Sequence, residues 1–221
     1  MKFKNENIWI TSDTHYGHAN ICRSTTTWRT SDGKVPVHNT RDFNSLDMMN
    51  TAIVNNINNV VMQDDVLFFL GDWSFGGFEN IQKFRERVVC RNIHLILGNH
   101  DHHIENNKNN VKDLFSSVSH YRTIVIDKTK IELMHYPISS WDGLSKGVLH
   151  LHGHMHFTNQ NRFGKGKRMD VGMDGHPEFK PYNIKECINL LNSRPTLSEF
   201  DSDHHLDGMW IGSYVLGEWY G

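Results

Sequence analysis

The sequence predicts an α/β chain in which helices lie against one sheet and a second sheet packs on the first. Short apolar runs alternate with helix-like periodicity through the first hundred residues, and strand-like runs follow one another closely in the second half. The chain has 221 residues, 38% of them hydrophobic and 22% charged, enough for one sizeable core and ordinary for a folded domain.

Ile8-Trp9-Ile10 reads as a buried strand that ends at Ser12-Asp13, and residues 20–44, poor in periodicity and rich in Thr, Ser, Asp and Gly, read as a long loop. Leu46, Met49, Ile53, Ile57 and Val60 recur at helical spacing, with the Asn-rich run at 55–59 on the wet face. Val66 to Leu70 is a strand apolar on both faces, closed by Gly71-Asp72. A helix over 78–88 and a strand from Ile93 to Leu97, closed by Gly98-Asn99, complete a strand–helix–strand–helix–strand series with right-handed crossovers. Strands are then expected at 123–126, 130–135, 148–153 and 168–171, and a last helix at 184–191. The catalytic domain is set at 1–193. Residues 194–221, with Trp210, Tyr214, Trp219 and Tyr220, form an extension whose role the sequence leaves open.

A formal charge of −2 argues against a protein that holds long nucleic acid or a membrane surface by charge alone. Three scattered cysteines, Cys22, Cys90 and Cys187, make a poor disulfide framework. With no apolar leader after Met1 and no run of roughly 18 apolar residues, the expectation is a cytoplasmic protein. Histidine stands out: there are 16, against 6 tyrosines and 6 tryptophans, and neutral imidazole is the commonest metal ligand.

Position turns that excess into a pattern. The first strand ends in Asp13-Thr14-His15, the next in Gly71-Asp72, the third in Gly98-Asn99-His100-Asp101, and later ones in His135 and Gly153-His154-Met155-His156. Functional groups gather at the carboxyl ends of strands in such sheets, so these segments are expected in one crevice. Asp13/His15 and His154/His156 are i, i+2 pairs, whose members point the same way if the backbone stays extended. Glycine beside a ligand permits a sharp turn and close approach. Asp13, His15, Asp72, Asn99, His135, His154 and His156 are too many ligands for one tetrahedral ion, so two cations are expected, with Asp72 the simplest bridge. Nitrogen and oxygen donors without thiolate favour Mn, Fe, Zn, Co or Ni. Two dications with two carboxylates suit a phosphate and supply hydroxide at neutral pH.

These five blocks, in this order, closely resemble the calcineurin-like metallophosphoesterases. The opening Thr11-Ser12-Asp13-Thr14-His15-Tyr16-Gly17-His18-Ala19-Asn20-Ile21 and the segment Arg168-Met169-Asp170-Val171-Gly172-Met173-Asp174 look like a bacterial and phage branch of that superfamily. The resemblance implies a four-layer αββα sandwich, two packed mixed sheets flanked by helices, with a dinuclear site at one edge. It implies one ion on Asp13, His15 and His156, the other on Asn99, His135 and His154, and Asp72 bridging them. It makes His100 the acid that protonates the leaving oxygen, with Asp101 hydrogen-bonded to His100 to fix its tautomer, and hydroxide between the two cations the nucleophile.

Outside this set His18 is a candidate substrate contact, and His150 and His152 are expected to pack beside the ligands. His102, His103, His204 and His205 are expected at the surface. Arg162, Lys165, Lys167 and Arg168 form either a phosphate-gripping rim or a solvated hairpin. Trp73 and Trp141 are expected in packing more than in base stacking. The expected reaction is hydrolysis of a phosphate ester, preferably a small nucleotide-like phosphodiester, in a protein with no membrane partner and no long nucleic acid. A phosphomonoesterase, or a metal-stabilised scaffold binding a partner through the aromatic tail, is the alternative.

Overall fold

The apolar runs of the first hundred residues become the middle of one sheet. The computed structural model describes residues 1–3 and 7–197; the tail aromatics and His204-His205 lie outside the described residues. In chain order the strands are β1 (Lys2–Phe3), β2 (Ile8–Thr11), β3 (Val66–Phe69), β4 (Asn92–Ile96), β5 (Ser117–Ser119), β6 (Tyr121–Ile126), β7 (Thr129–Met134), β8 (Leu149–His152), β9 (Arg168–Asp170) and β10 (Tyr182–Asn183). The helices are α1 (Leu46–Asn58), α2 (Phe78–Arg87), the short α3 (His102–Glu105) and α4 (Ile184–Asn192).

The first sheet has the order β10-β2-β3-β4-β5, and only β10 runs antiparallel to its neighbour. The second has the order β1-β6-β7-β8-β9, with the β6–β7 hairpin antiparallel and the other pairs parallel. Both sheets are mixed, as expected. The edge strands β1, β5 and β10, only two or three residues each, carry too little pattern to be read from sequence.

Alternation along β3 sends side chains to two cores. Leu67 and Phe69 pack with Met49, Ile53 and Ile57 of α1 and with Ile81 and Phe84 of α2. Val66, Phe68 and Leu70 pack against Ile124, Ile131, Leu133, Leu149 and Leu151 of the second sheet. Ser45 caps α1 by accepting the Met48 N–H at 3.1 Å, and the helix ends before Val60. The long loop holds no helix or strand over residues 20–44, as predicted. All three cysteines are free and buried. Among the described residues no helix is long and apolar enough to cross a membrane.

The other face of β8 carries His150 and His152, both buried. His150 Nδ1 donates to the Glu132 carbonyl at 3.2 Å, its Nε2 accepts the Ile138 N–H at 3.4 Å, and Trp141 lies 5.1 Å from its ring. The neutral imidazole is therefore the form that is satisfied. Burial drops the His150 pKa to about 4 and the His152 pKa to about 3. Below pH 6.5 the unfolded chain takes up protons that the folded one refuses, so this stability is full above about 6.5 and is lost as pH falls towards about 4. Urea unfolding at steps between pH 7 and pH 4 is expected to show that loss, and His150→Gln to make it shallower; an unchanged slope in the variant would assign the loss to other groups.

Candidate metal centre

β2 and β3 run in parallel register and end side by side, and the loops that leave them are tied together. Asp13 N–H donates to the Gly71 carbonyl at 3.0 Å and His15 N–H to the Asp72 carbonyl at 3.1 Å. Five of the seven predicted ligands lie in left-handed backbone: Asp13 (φ 56°), His15 (49°), Asp72 (56°), His154 (74°) and His156 (49°). L-residues rarely adopt that conformation, and such strain clusters at functional sites. It corrects the expectation that the i, i+2 pairs converge on extended backbone: left-handed turns at the strand ends bring them together. Glycine clears the space. A Cβ at Gly98 would stand 2.3 Å from Asp72 Oδ1, and one at Gly153 would stand 2.3 Å from Asp13 Oδ2.

The carboxylates are aimed by backbone amides. Asp72 Oδ1 accepts the His100 N–H at 2.9 Å, which leaves Oδ2 between His15 Nε2 at 3.4 Å and His135 Nε2 at 3.6 Å. Asp13 Oδ2 accepts the His154 N–H at 2.9 Å, and its Oδ1 is buried without a donor, 3.7 Å from His156 Nε2 and 3.9 Å from His15 Nε2. Those two Nε2 atoms are 3.0 Å apart. On the other side of Asp72, Asn99 Oδ1 lies 3.0 Å from both His135 Nε2 and His154 Nδ1. His135 Nδ1 donates to the buried Leu70 carbonyl at 2.7 Å, so its Nε2 lone pair points at oxygens that are themselves acceptors.

Acceptors that face one another around two buried carboxylates, one of whose oxygens has no donor, are satisfied by cations. The donor atoms of Asp13, His15 and His156 lie within 4.8 Å of one another, as do those of Asp13, Asp72 and His135, and those of His15, Asp72 and His100. The seven residues picked from the sequence therefore meet in one place, and their chemistry fits divalent metal. Burial holds His15 neutral, well below its ordinary pKa, and raises the Asp13 carboxyl. Burial and the neighbouring His135 lower His154.

Two residues that the sequence reading gave no role complete the site. Asp174 Oδ2 accepts from His156 Nδ1 at 2.8 Å, while Arg41 donates to both Asp174 oxygens at 2.8 Å. Arg41 also donates to the carbonyls of Asp13 and Thr14, each at 2.6 Å. Burial opposes protonation of His156, but the Asp174 hydrogen bond and the charges of Asp13 and Asp174 together outweigh it and raise the pKa; against burial, Arg41 and His156 hold Asp174 well below the carboxylate range. Asp174 closes the quoted Arg168–Asp174 segment, which was its one signal. Nothing in the loop sequence sets Arg41 apart.

Asp101 departs from its expected partner. Its carboxylate accepts backbone N–H groups of Asp72 at 2.8 Å, Trp73 at 2.9 Å and Gly98 at 2.8 Å, and not the His100 ring. It pins the loops after β3 and β4 together, while burial pushes its pKa to about 7. The His100 ring lies beside His15 at 5.3 Å and Phe75 at 5.4 Å, half-buried. His18 stacks on Phe75 at 4.0 Å, and burial lowers its pKa to about 4. Trp73 and Trp141 are packing residues, buried as expected. Arg162 donates to the Asn159 carbonyl three residues back, and Arg168 donates to the Ile138 carbonyl in the loop after β7, so both guanidiniums brace backbone. His102 and His103 lie on α3, outside the ligand cluster.

A sandwich of two mixed sheets with histidines and carboxylates converging at its strand ends defines a metal-dependent hydrolase. Residues 6–187 match the calcineurin-like phosphoesterases, and the chain belongs to that family of metal-dependent hydrolases acting on phosphate esters. It is 28% identical over 188 residues to an uncharacterized protein of Methanocaldococcus jannaschii, covering 83% of this chain and 90% of that protein. It is 25% identical over 208 residues to the gene 66 protein of Mycobacterium phage D29, covering 83% and 96%. The crystal structure of a protein of unknown function from Aquifex aeolicus shares the fold, with a TM-score of 0.59 at 20% identity over 84% of this chain and all of that one.

Partners of metal-bound histidine typically account for 10–100-fold in metal affinity, roughly. Asp174→Asn is therefore expected to weaken binding of part of the metal complement by about that factor in chelator competition, with the fold intact by circular dichroism. Equal affinity in the variant would reduce Asp174 to a loop anchor. Asp101→Asn replaces one acceptor oxygen by a donor facing amide N–H groups and is expected to cost about 1–3 kcal/mol of stability in urea unfolding.

Proposed function

We propose that the protein is a dinuclear phosphodiesterase acting on a small nucleotide-like phosphodiester. The observation that carries the reading is the placement of Asp72 Oδ2 between His15 Nε2 and His135 Nε2, with a second donor group on either side. In this reading Asp13, His15 and His156 would hold one cation and Asn99, His135 and His154 the other, with Asp72 available to both. Bound there, two divalent ions of the Mn, Fe, Zn, Co or Ni type supply a nucleophile at neutral pH and neutralise charge on the phosphate.

The chain's own residues do the rest. Backbone amides of His100 and His154 orient the two carboxylates, and Leu70 and Asp174 fix the tautomers of His135 and His156. His100 stands at the open side of the cluster and passes a proton from its imidazole to the oxygen that leaves. The diester preference is supported by charge. Arg41 is the one guanidinium or ammonium among the described residues lining the adjoining cavity, and Asp174 takes it up. No second guanidinium or ammonium among those lining residues meets the second negative charge of a monoester. The small substrate is supported by the size of that cavity, about 560 Å³.

Metal-stripped protein refilled with Mn²⁺ is expected to hydrolyse bis-p-nitrophenyl phosphate faster than p-nitrophenyl phosphate, and Asp72→Ala to abolish both. Turnover of the monoester alone would replace the diesterase by a phosphatase, and turnover of neither, with metal bound, would sink the reading. His100→Ala is expected to lower kcat by about 10²–10⁴-fold on esters with alkoxide leaving groups. The loss should be much smaller on p-nitrophenyl esters, whose leaving group departs without a proton; equal losses on both would remove the general-acid role.

A further inference from the structure

The cavity beside the cluster runs between the metal ligands and the long loop. His15, His156 and His100 line it on one side, and Trp28, His38 and Asn39 of the loop also line it. We infer that it is a nucleoside subsite in which the base of the substrate stacks on Trp28. The inference deepens the phosphodiesterase reading and rests on it.

Trp28 differs from the tryptophans that the sequence singled out. Trp73 and Trp141 are buried, whereas Trp28 is 39% exposed at the cavity. Its ring and the His18 ring stand nearly perpendicular, at 5.8 Å and 87°, and are not stacked in parallel. His18 is itself held flat against Phe75, and its buried Nδ1 has no partner.

The backbone that carries the indole is already braced. Trp28 N–H donates to Thr26 Oγ1 at 3.1 Å, Arg29 donates to the Trp28 carbonyl at 2.6 Å, and Thr27 N–H donates to Asn20 Oδ1 at 2.8 Å. Further along, Arg23 pairs with Asp42 at 2.8 Å and Arg41 anchors the loop on Asp174. Ordering a loop on binding is a cost that a braced loop avoids. The remaining lining supplies what a nucleoside needs: apolar contact from Ile21 and Met155, and a few polar groups, Asn39, Thr40 and Thr158, for a sugar or a base edge. With Arg41 neutralised by Asp174, selection for the organic part of the ester falls to stacking, which is tolerant of base identity.

The test is calorimetric titration of the Mn²⁺-loaded protein with adenosine 5′-monophosphate and with methyl phosphate, in wild type, Trp28→Ala and Trp28→Phe. Wild type is expected to bind the nucleotide on the order of 10-fold more tightly than methyl phosphate. Trp28→Ala should erase that advantage, Trp28→Phe should keep most of it, and all three should bind methyl phosphate alike. An advantage that survives in Trp28→Ala, or is absent from wild type, overturns the subsite. Hydrolysis of bis-p-nitrophenyl phosphate by the same wild-type sample separates the two readings. Turnover without nucleotide preference overturns the subsite alone. Nucleotide preference without turnover of any ester overturns the enzyme reading and upholds the subsite as a binding site.

Discussion

The structure depends on one constraint: two carboxylates, four imidazoles and an amide oxygen are gathered where almost no donor reaches them. Asp13 Oδ1 is buried without a donor, and the Nε2 atoms of His15 and His156 face each other at 3.0 Å. Groups so placed are costly to bury unless a cation joins them. The surrounding fold is organised to hold that arrangement ready. The ends of parallel strands deliver the segments, left-handed turns re-aim the side chains, and glycines at 98 and 153 leave room for two carboxylates.

A second tier keeps the first in place, and it is built from charge that does not face the substrate. Asp101 spends both oxygens on three backbone amides and thereby locks the loop after β3 to the loop after β4. Arg41 spans the carbonyls of the first ligand loop and the carboxylate that orients His156. A long loop without regular structure is thus attached at one end to the chemistry. That attachment explains how a segment made of turns and side-chain hydrogen bonds can wall a cavity beside the ligands. The two tiers also divide labour: Asp13 and Asp72 take their direction from amides, whereas Asp101 and Asp174 behind them set the direction of amides and an imidazole.

Much of this was legible in the sequence, for physical reasons that particular residues show. Strand β3 was readable because burial on both faces demands an unbroken apolar run, and α1 because one buried stripe demands helical spacing. The seven candidate ligands stood out because metal chemistry narrows the residue types, because loops that leave adjacent parallel strands share an edge, and because close approach selects glycine. What only the tertiary structure decided are relations between side chains and distant backbone. Asp101 and His100 are neighbours in sequence, yet the carboxylate turns to the amides of Asp72, Trp73 and Gly98, since three donors outcompete one ring. Arg41 and Asp174 lie 133 residues apart, and no local pattern marks an arginine whose role is to meet a carboxylate from the far end of the chain. The sequence determined which atoms are candidates to hold cations; the packing of one sheet on the other, and of the loop on both, decided what holds those atoms.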